Sequence, residues 1–178
     1  MPDASVPAPS TGTVPAPYAV CFVCTGNICR SPMAASVFRA LVRDAGLDGL
    51  VVVDSAGTDG WHEGDPADPR TDAVLKSAGY ETGHVAHQFQ ADWFAGRDLV
   101  IALDRGHQRT LRRLAPTPAD ADKVRLLRSY DPEADGDPDV PDPYYGDADG
   151  FAECLTMVEA ASEGLLDAVR DVVEGRAA

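Results

Sequence analysis

The chain has 178 residues, enough for one domain with a sizeable core. Its 29 acidic and 15 basic residues give a net charge of −14 at pH 7, which argues against nucleic acid as a partner, because a phosphate backbone needs a basic footprint. No apolar run reaches the length of a membrane span, and the N-terminus has neither the basic start nor the apolar stretch of a signal peptide, so no membrane partner and a cytoplasmic location are expected.

In chain order, residues 1–17 are rich in Pro, Ala, Ser and Thr and read as a disordered tail. Tyr18 to Val23 is a short apolar run, a buried strand. Ser31 suits an N-cap and Pro32 a first helical position. Met33, Val37, Phe38, Leu41 and Val42 then recur at helical spacing, with Gly46 as the stop. Leu50 to Asp54 is a β-branched strand. Asp68-Pro69 caps a helix to about Ala78 that Gly79 closes. A turn at Ala91 to Phe94 precedes a strand at Leu99 to Leu103. Asp104 caps a basic helix through Leu114, and Val124 to Leu127 is the fourth strand. Ser129 to Gly150 is a long acidic loop. Phe151 to Val173 is an amphipathic helix whose Cys154, Leu155, Val158 and Leu165 share one face. Strands alternating with helices, each strand apolar on both faces, predict an α/β fold: a small open four-stranded parallel sheet with helices on both faces. One domain over residues 18–174 is expected, with a C-terminal tail at 175–178.

The chemistry concentrates in Cys24-Thr25-Gly26-Asn27-Ile28-Cys29-Arg30-Ser31-Pro32, between the first strand and the first helix. Loop N–H groups and a helix N-terminus form an anion cradle, and ligands in such sheets bind beyond the strands' C-terminal ends. Arg30 adds a planar cationic fork that matches two phosphate oxygens. Cys24 would share that positive field, which lowers a thiol pKa and readies a thiolate for attack. Spacing alone is weak, since the chain has four Cys and 13 Arg. The strand before the loop, Gly26 within it and Pro32 after it favour a cysteine phosphatase over a buried Cys beside a surface Arg. Asn27 suits a strained loop because it tolerates left-handed backbone angles. Ser31 is positioned to donate its hydroxyl to the Cys24 thiolate. Cys21 and Cys154 read as core, and Cys29 is open between loop packing and a disulfide with Cys24.

The stretch from Val23 to Pro32 resembles the signature loop of the low-molecular-weight protein-tyrosine phosphatases, of bacterial type. The resemblance continues through Asp54-Ser55-Ala56-Gly57-Thr58, Trp61-His62 and Asp68-Pro69-Arg70 to Asp142-Pro143-Tyr144-Tyr145, and covers about residues 18–174. It implies Cys24 as nucleophile, Arg30 as phosphate clamp and a phosphate ringed by Thr25, Gly26, Asn27, Ile28 and Cys29. It implies Ser55 and His84 as supports of Asn27, and a reversible Cys24–Cys29 bond that shields the nucleophile. Among the acidic residues it selects Asp142 as general acid. The flanking Pro141 and Pro143 would stiffen that loop, and Asp139 and Asp147 would raise the pKa of Asp142. Trp61, Tyr144 and Tyr145 match positions beside the substrate's aryl ring, a deep slot that a phosphoserine could not fill.

Arsenate reductases of this fold relay a disulfide through further cysteines, and none stands between Cys29 and Cys154. Bacterial arginine phosphatases carry Thr at the position of Ile28 and lack the Tyr pair. A phosphopeptide-binding module would have lost Cys24 or Asp142. The expectation is therefore phosphotyrosine hydrolysis by a monomer, on protein substrates, with inorganic phosphate as product and no metal or cofactor.

Overall fold

The structure, a computed structural model, describes residues 5–8 and 16–177. Its sheet is four-stranded and parallel in the order β2-β1-β3-β4, with β1 at Tyr18–Cys24, β2 at Val51–Gly57, β3 at Leu99–Ala102 and β4 at Val124–Leu126. The order places β1 between two partners, so its side chains must be apolar on both faces. Alternate residues accordingly enter two cores. Val20, Phe22 and Cys24 join the larger one with Phe38, Leu99, Phe151 and Leu165, whereas Cys21 and Val23 join Phe94, Val100, Leu111 and Leu126.

The larger core lies under α1 (Arg30–Asp44), α2 (Pro69–Ser77) and α5 (Ala148–Ala177). The other is covered by α3 (Arg105–Leu114) and a 3-10 turn at Ala91–Gly96. Local chemistry explains the boundaries. Gly46 follows α1 at φ +72° and Gly79 follows α2 at +84°, a backbone region other residues avoid. The Asp68 carboxylate accepts from Arg70 N at 2.9 Å and Pro69 opens α2. A short α4 (Pro118–Ala121), capped by Thr117, lies where no helix was expected, because one turn has no periodicity to read. Helix α5 begins before Phe151 and its backbone continues to Ala177, so the segment at 175–177 is helix rather than tail. Midway along α5, Gly164 has no alternative: a Cβ there would collide with the Tyr130 carbonyl. That contact anchors the start of the acidic loop.

Residues 1–4 and 9–15, most of the expected tail, lie outside the described residues. Ser5–Ala8 is described and seated on the domain. Tyr130 and Tyr18 donate their hydroxyls to the Ser5 and Pro7 carbonyls at 2.7 Å each, and Val6 packs on the larger core. Among the described residues, no helix is long and apolar enough to cross a membrane.

Candidate active site

Strand β1 ends at Cys24 and α1 begins at Arg30, so the loop occupies only residues 25–29. The expected N-cap, Ser31, is corrected: Cys29 occupies the cap position, no side chain caps the helix, and Pro32 stands in its third position. The physical reason is that the Ser31 hydroxyl is engaged by the loop. Its Oγ lies 2.9 Å from Cys24 Sγ and accepts from Asn27 Nδ2 at 2.8 Å. The uncapped first turn keeps backbone N–H groups for an anion.

Asn27 holds the loop's shape. It is a non-glycine residue at φ +57°, fully buried, and its side-chain amide and its carbonyl are both engaged. Nδ2 donates to Ser55 Oγ at 3.0 Å as well as to Ser31, while Oδ1 accepts from the backbone of His87 at 3.0 Å. Its carbonyl accepts from His84 Nε2 at 2.6 Å, which fixes that tautomer, and burial lowers the His84 pKa. Thus Ser55 and His84 lie beneath the loop, not in the cavity. Gly57 lets the loop approach β2: a Cβ there would sit 2.5 Å from the Thr25 carbonyl.

Arg30 is 4 % exposed and its guanidinium is divided between two tasks. Nη1 donates to Asp104 Oδ2 and to the Val140 carbonyl, both at 2.9 Å. Nε and Nη2 remain for a ligand, and Nη2 stands 3.7 Å from Asp142 Oδ2. Asp104 also caps α3 by accepting from His107 N at 3.0 Å. Burial pushes its carboxyl pKa up, but the His107 backbone bond, the nearby His107 ring and the Arg30 guanidinium together outweigh that and leave it below the usual value. The buried His107 places Nε2 2.8 Å from Thr25 Oγ1 and Nδ1 3.2 Å from Asp104 Oδ1, the latter without the alignment of a hydrogen bond. Burial pulls its pKa down to about 4, so the ring is neutral at pH 7. The sequence shows Asp104 only as a helix cap and gives no signal at His107. The cap signature conceals the carboxylate's second oxygen.

These groups enclose a cavity of about 290 Å³. Cys24 and Arg30 lie on its floor with Thr25, Gly26, Ile28 and Cys29, and Asp142 lies on its wall. Trp61, Tyr144 and Tyr145 form the rim, at 87 %, 39 % and 90 % exposure, and the two Tyr rings meet edge to face at 4.9 Å. Asp59 and His62 also line it; neither has a role read from the sequence, although His62 stands in the Trp61-His62 pair that carries the resemblance. Asp142 Oδ1 accepts from Tyr144 N at 3.1 Å, a turn that points the second oxygen inward. Asp139, expected to press its charge on Asp142, instead receives Arg105 N and Nη2 at 2.9 and 3.1 Å. Arg70 ties the acid loop down: it bonds Asp68, donates to the Tyr144 and Gly146 carbonyls, and lies 4.5 Å over the Phe151 ring. Cys29 is a free, buried thiol whose pKa is pushed up to about 12, first by burial and then by the charge of Asp68. Among the described residues, no three His, Cys, Asp or Glu side chains group to hold a metal.

The family described as low molecular weight phosphotyrosine protein phosphatase matches residues 19–174 of this chain. The chain belongs to that family. The phosphatase is 72 % identical over 162 residues to the low molecular weight protein-tyrosine-phosphatase of Streptomyces coelicolor, covering 90 % of this chain and 99 % of the relative. Among solved structures it resembles YfkJ from Bacillus subtilis, with a TM-score of 0.82, 35 % identity, and coverage of 90 % of this chain and 98 % of that one. A Drosophila arginine phosphatase also superposes, with a TM-score of 0.79, 32 % identity, and coverage of 85 % and 97 %. The phosphatase shares with its family a cysteine-based mechanism and a phosphate-binding loop after the first strand.

Proposed function

We propose that the phosphatase hydrolyses phosphotyrosine in proteins through a phosphocysteine on Cys24, with Arg30 as clamp and Asp142 as acid and base. One observation carries the reading: a single cavity holds Cys24, Arg30 and Asp142 under an aromatic rim. The Cys24 thiolate attacks phosphorus in line, with the Ser31 hydroxyl on the sulfur. As the S–P bond forms, the P–O bond breaks, and the leaving tyrosyl oxygen takes the Asp142 proton. Arg30 Nε and Nη2, with N–H groups of the loop, hold the equatorial oxygens of a loose transition state. Water then attacks phosphorus and gives its proton to the Asp142 carboxylate. The S–P electrons return to Cys24 and inorganic phosphate leaves. No metal or cofactor enters the scheme. A cytoplasmic location is in keeping with four free cysteines, all buried.

Phosphoarginine is the second reading, supported by the arginine-phosphatase neighbour. Ile28 in the loop and the Tyr144–Tyr145 rim favour an aryl ester. Turnover of phosphotyrosine, phosphoserine and phosphoarginine peptides decides between them, with Cys24→Ser as control. Preferred turnover of phosphotyrosine, abolished in Cys24→Ser, is expected. Preference for phosphoarginine would remove the substrate assignment, and near wild-type turnover in Cys24→Ser the covalent step.

A further inference from the structure

Helix α3 carries a charge pattern that the reaction does not use. Arg105, Arg109, Arg112 and Arg113 are all exposed. At 3.6 residues per turn they fall within an arc of about 100°, opposite the buried His107 and Leu111. The helix contains no acidic residue. Acidic residues outnumber basic ones 29 to 15 in the chain, yet among the described residues no carboxylate pairs with Arg109, Arg112 or Arg113. Among the described residues, Arg112 donates only to the Val124 carbonyl, at 3.4 Å. Arg105 alone is paired, to Asp139.

The row starts beside the reacting groups. Asp104, immediately before it, holds Arg30, and His107 in its first turn holds Thr25. Asp139, the partner of Arg105, lies three residues before Asp142 in the acid loop. From Arg105, Arg109 lies about 6 Å and Arg113 about 12 Å along the helix, at 1.5 Å per residue. An extended peptide rises about 3.3 Å per residue, so the row spans about four of its positions.

We propose that this arginine row docks an acidic segment flanking the phosphotyrosine of a protein substrate, an inference that rests on the function proposed above. The chain's net charge of −14 repels an acidic partner over most of its surface. One narrow cationic strip on such a surface focuses that partner and leads it to the cavity. A flat anionic membrane would meet the surrounding acidic surface together with the strip, whereas a single peptide strand meets the strip alone. Guanidinium groups suit carboxylates because the fork matches two oxygens. Each exposed pair contributes about 1.4- to 5-fold in binding, so two reversed charges should cost about tenfold.

The test compares wild type with R109E/R113E at low salt. The substrates are phosphotyrosine peptides with four Glu on the N-terminal or C-terminal flank, the same peptides with Gln, and a small aryl phosphate. Wild type should favour one acidic peptide over its Gln counterpart by about tenfold in kcat/KM, through KM, with the ratio falling as salt rises. R109E/R113E should bring that ratio to one or below while aryl phosphate turnover and Tm hold. Equal turnover of acidic and Gln peptides by wild type would overturn the docking assignment and leave the reaction standing. Equal losses on all substrates would overturn it too. So would binding to phosphatidylserine vesicles that R109E/R113E abolishes while the peptide ratio stays put. If wild type hydrolyses no phosphotyrosine peptide at all, the proposed function fails and the docking site with it.

Discussion

Asp104→Asn is the most discriminating single change near the cavity, because the carboxylate feeds two donors at once. Oδ1 accepts from His107 N at 3.0 Å and Oδ2 from Arg30 Nη1 at 2.9 Å. An amide has one oxygen, so Asn can cap α3 or hold Arg30 but not both. Asn is as good a helix cap as Asp, so the cap should persist while the hydrogen bond to Arg30 breaks. A hydrogen bond to a charged group is worth about 1.5–3 kcal/mol. Val140 still holds Nη1, which places the loss toward the lower end. If Arg30 must keep its orientation through the transition state, kcat/KM should fall about 10- to 100-fold. The assay is steady-state turnover of an aryl phosphate, with urea unfolding in parallel to show that the fold is intact. A fall of less than about threefold with unchanged stability would show that Val140 alone orients the clamp.

Asp142→Asn should slow phosphotyrosine by about 10²- to 10⁴-fold but an activated aryl phosphate much less, since a good leaving group departs without a proton; equal losses would place the proton donor elsewhere. Wild type inactivated by peroxide should recover with thiol reductant while Cys29→Ser recovers poorly, and equal recovery would return Cys29 to packing. His107 gives a stability signature with a definite sign. Unfolded, it takes a proton below pH 6.5; folded, only near pH 4, so unfolding takes up a proton in between and stability falls as pH drops through that window. The gap amounts to about 3 kcal/mol. His107→Asn should flatten that part of the urea-unfolding profile, and an unchanged slope would mean the ring is not held neutral.

Features set by local rules were legible from the sequence. Gly46 and Gly79 ended helices, Asp68-Pro69 started one, and β1 read correctly from its apolar run. Roles that depend on two distant partners were not. Ser31 has the composition of a cap, and only the positions of Cys24 and Asn27 show its hydroxyl turned to the loop. Strand β2 continues past Asp54 to Gly57, beyond the point where its apolar pattern stops, because Ser55 accepts from Asn27 and Gly57 lies against the Thr25 carbonyl, so both serve the loop. Asp139 is a neighbour of Asp142 in sequence, but Arg105, 34 residues away, takes its charge instead. The strand order 2-1-3-4 follows from pairing across the chain, which no single segment contains.

The bond from Arg30 to the Val140 carbonyl spans 110 residues, and this bears on how the molecule is made. At translation speeds of about 5–20 residues per second, Cys24 leaves the ribosome about 6–23 s before the carbonyl that helps hold Arg30. During that interval β1 has Cys24 at its tip but lacks first β2 and then β3 beside it. A nascent chain ending before Val140 therefore contains the thiol without the finished cradle. Such a chain lacks Asp142 as well, so hydrolytic competence is expected only once both residues have been added.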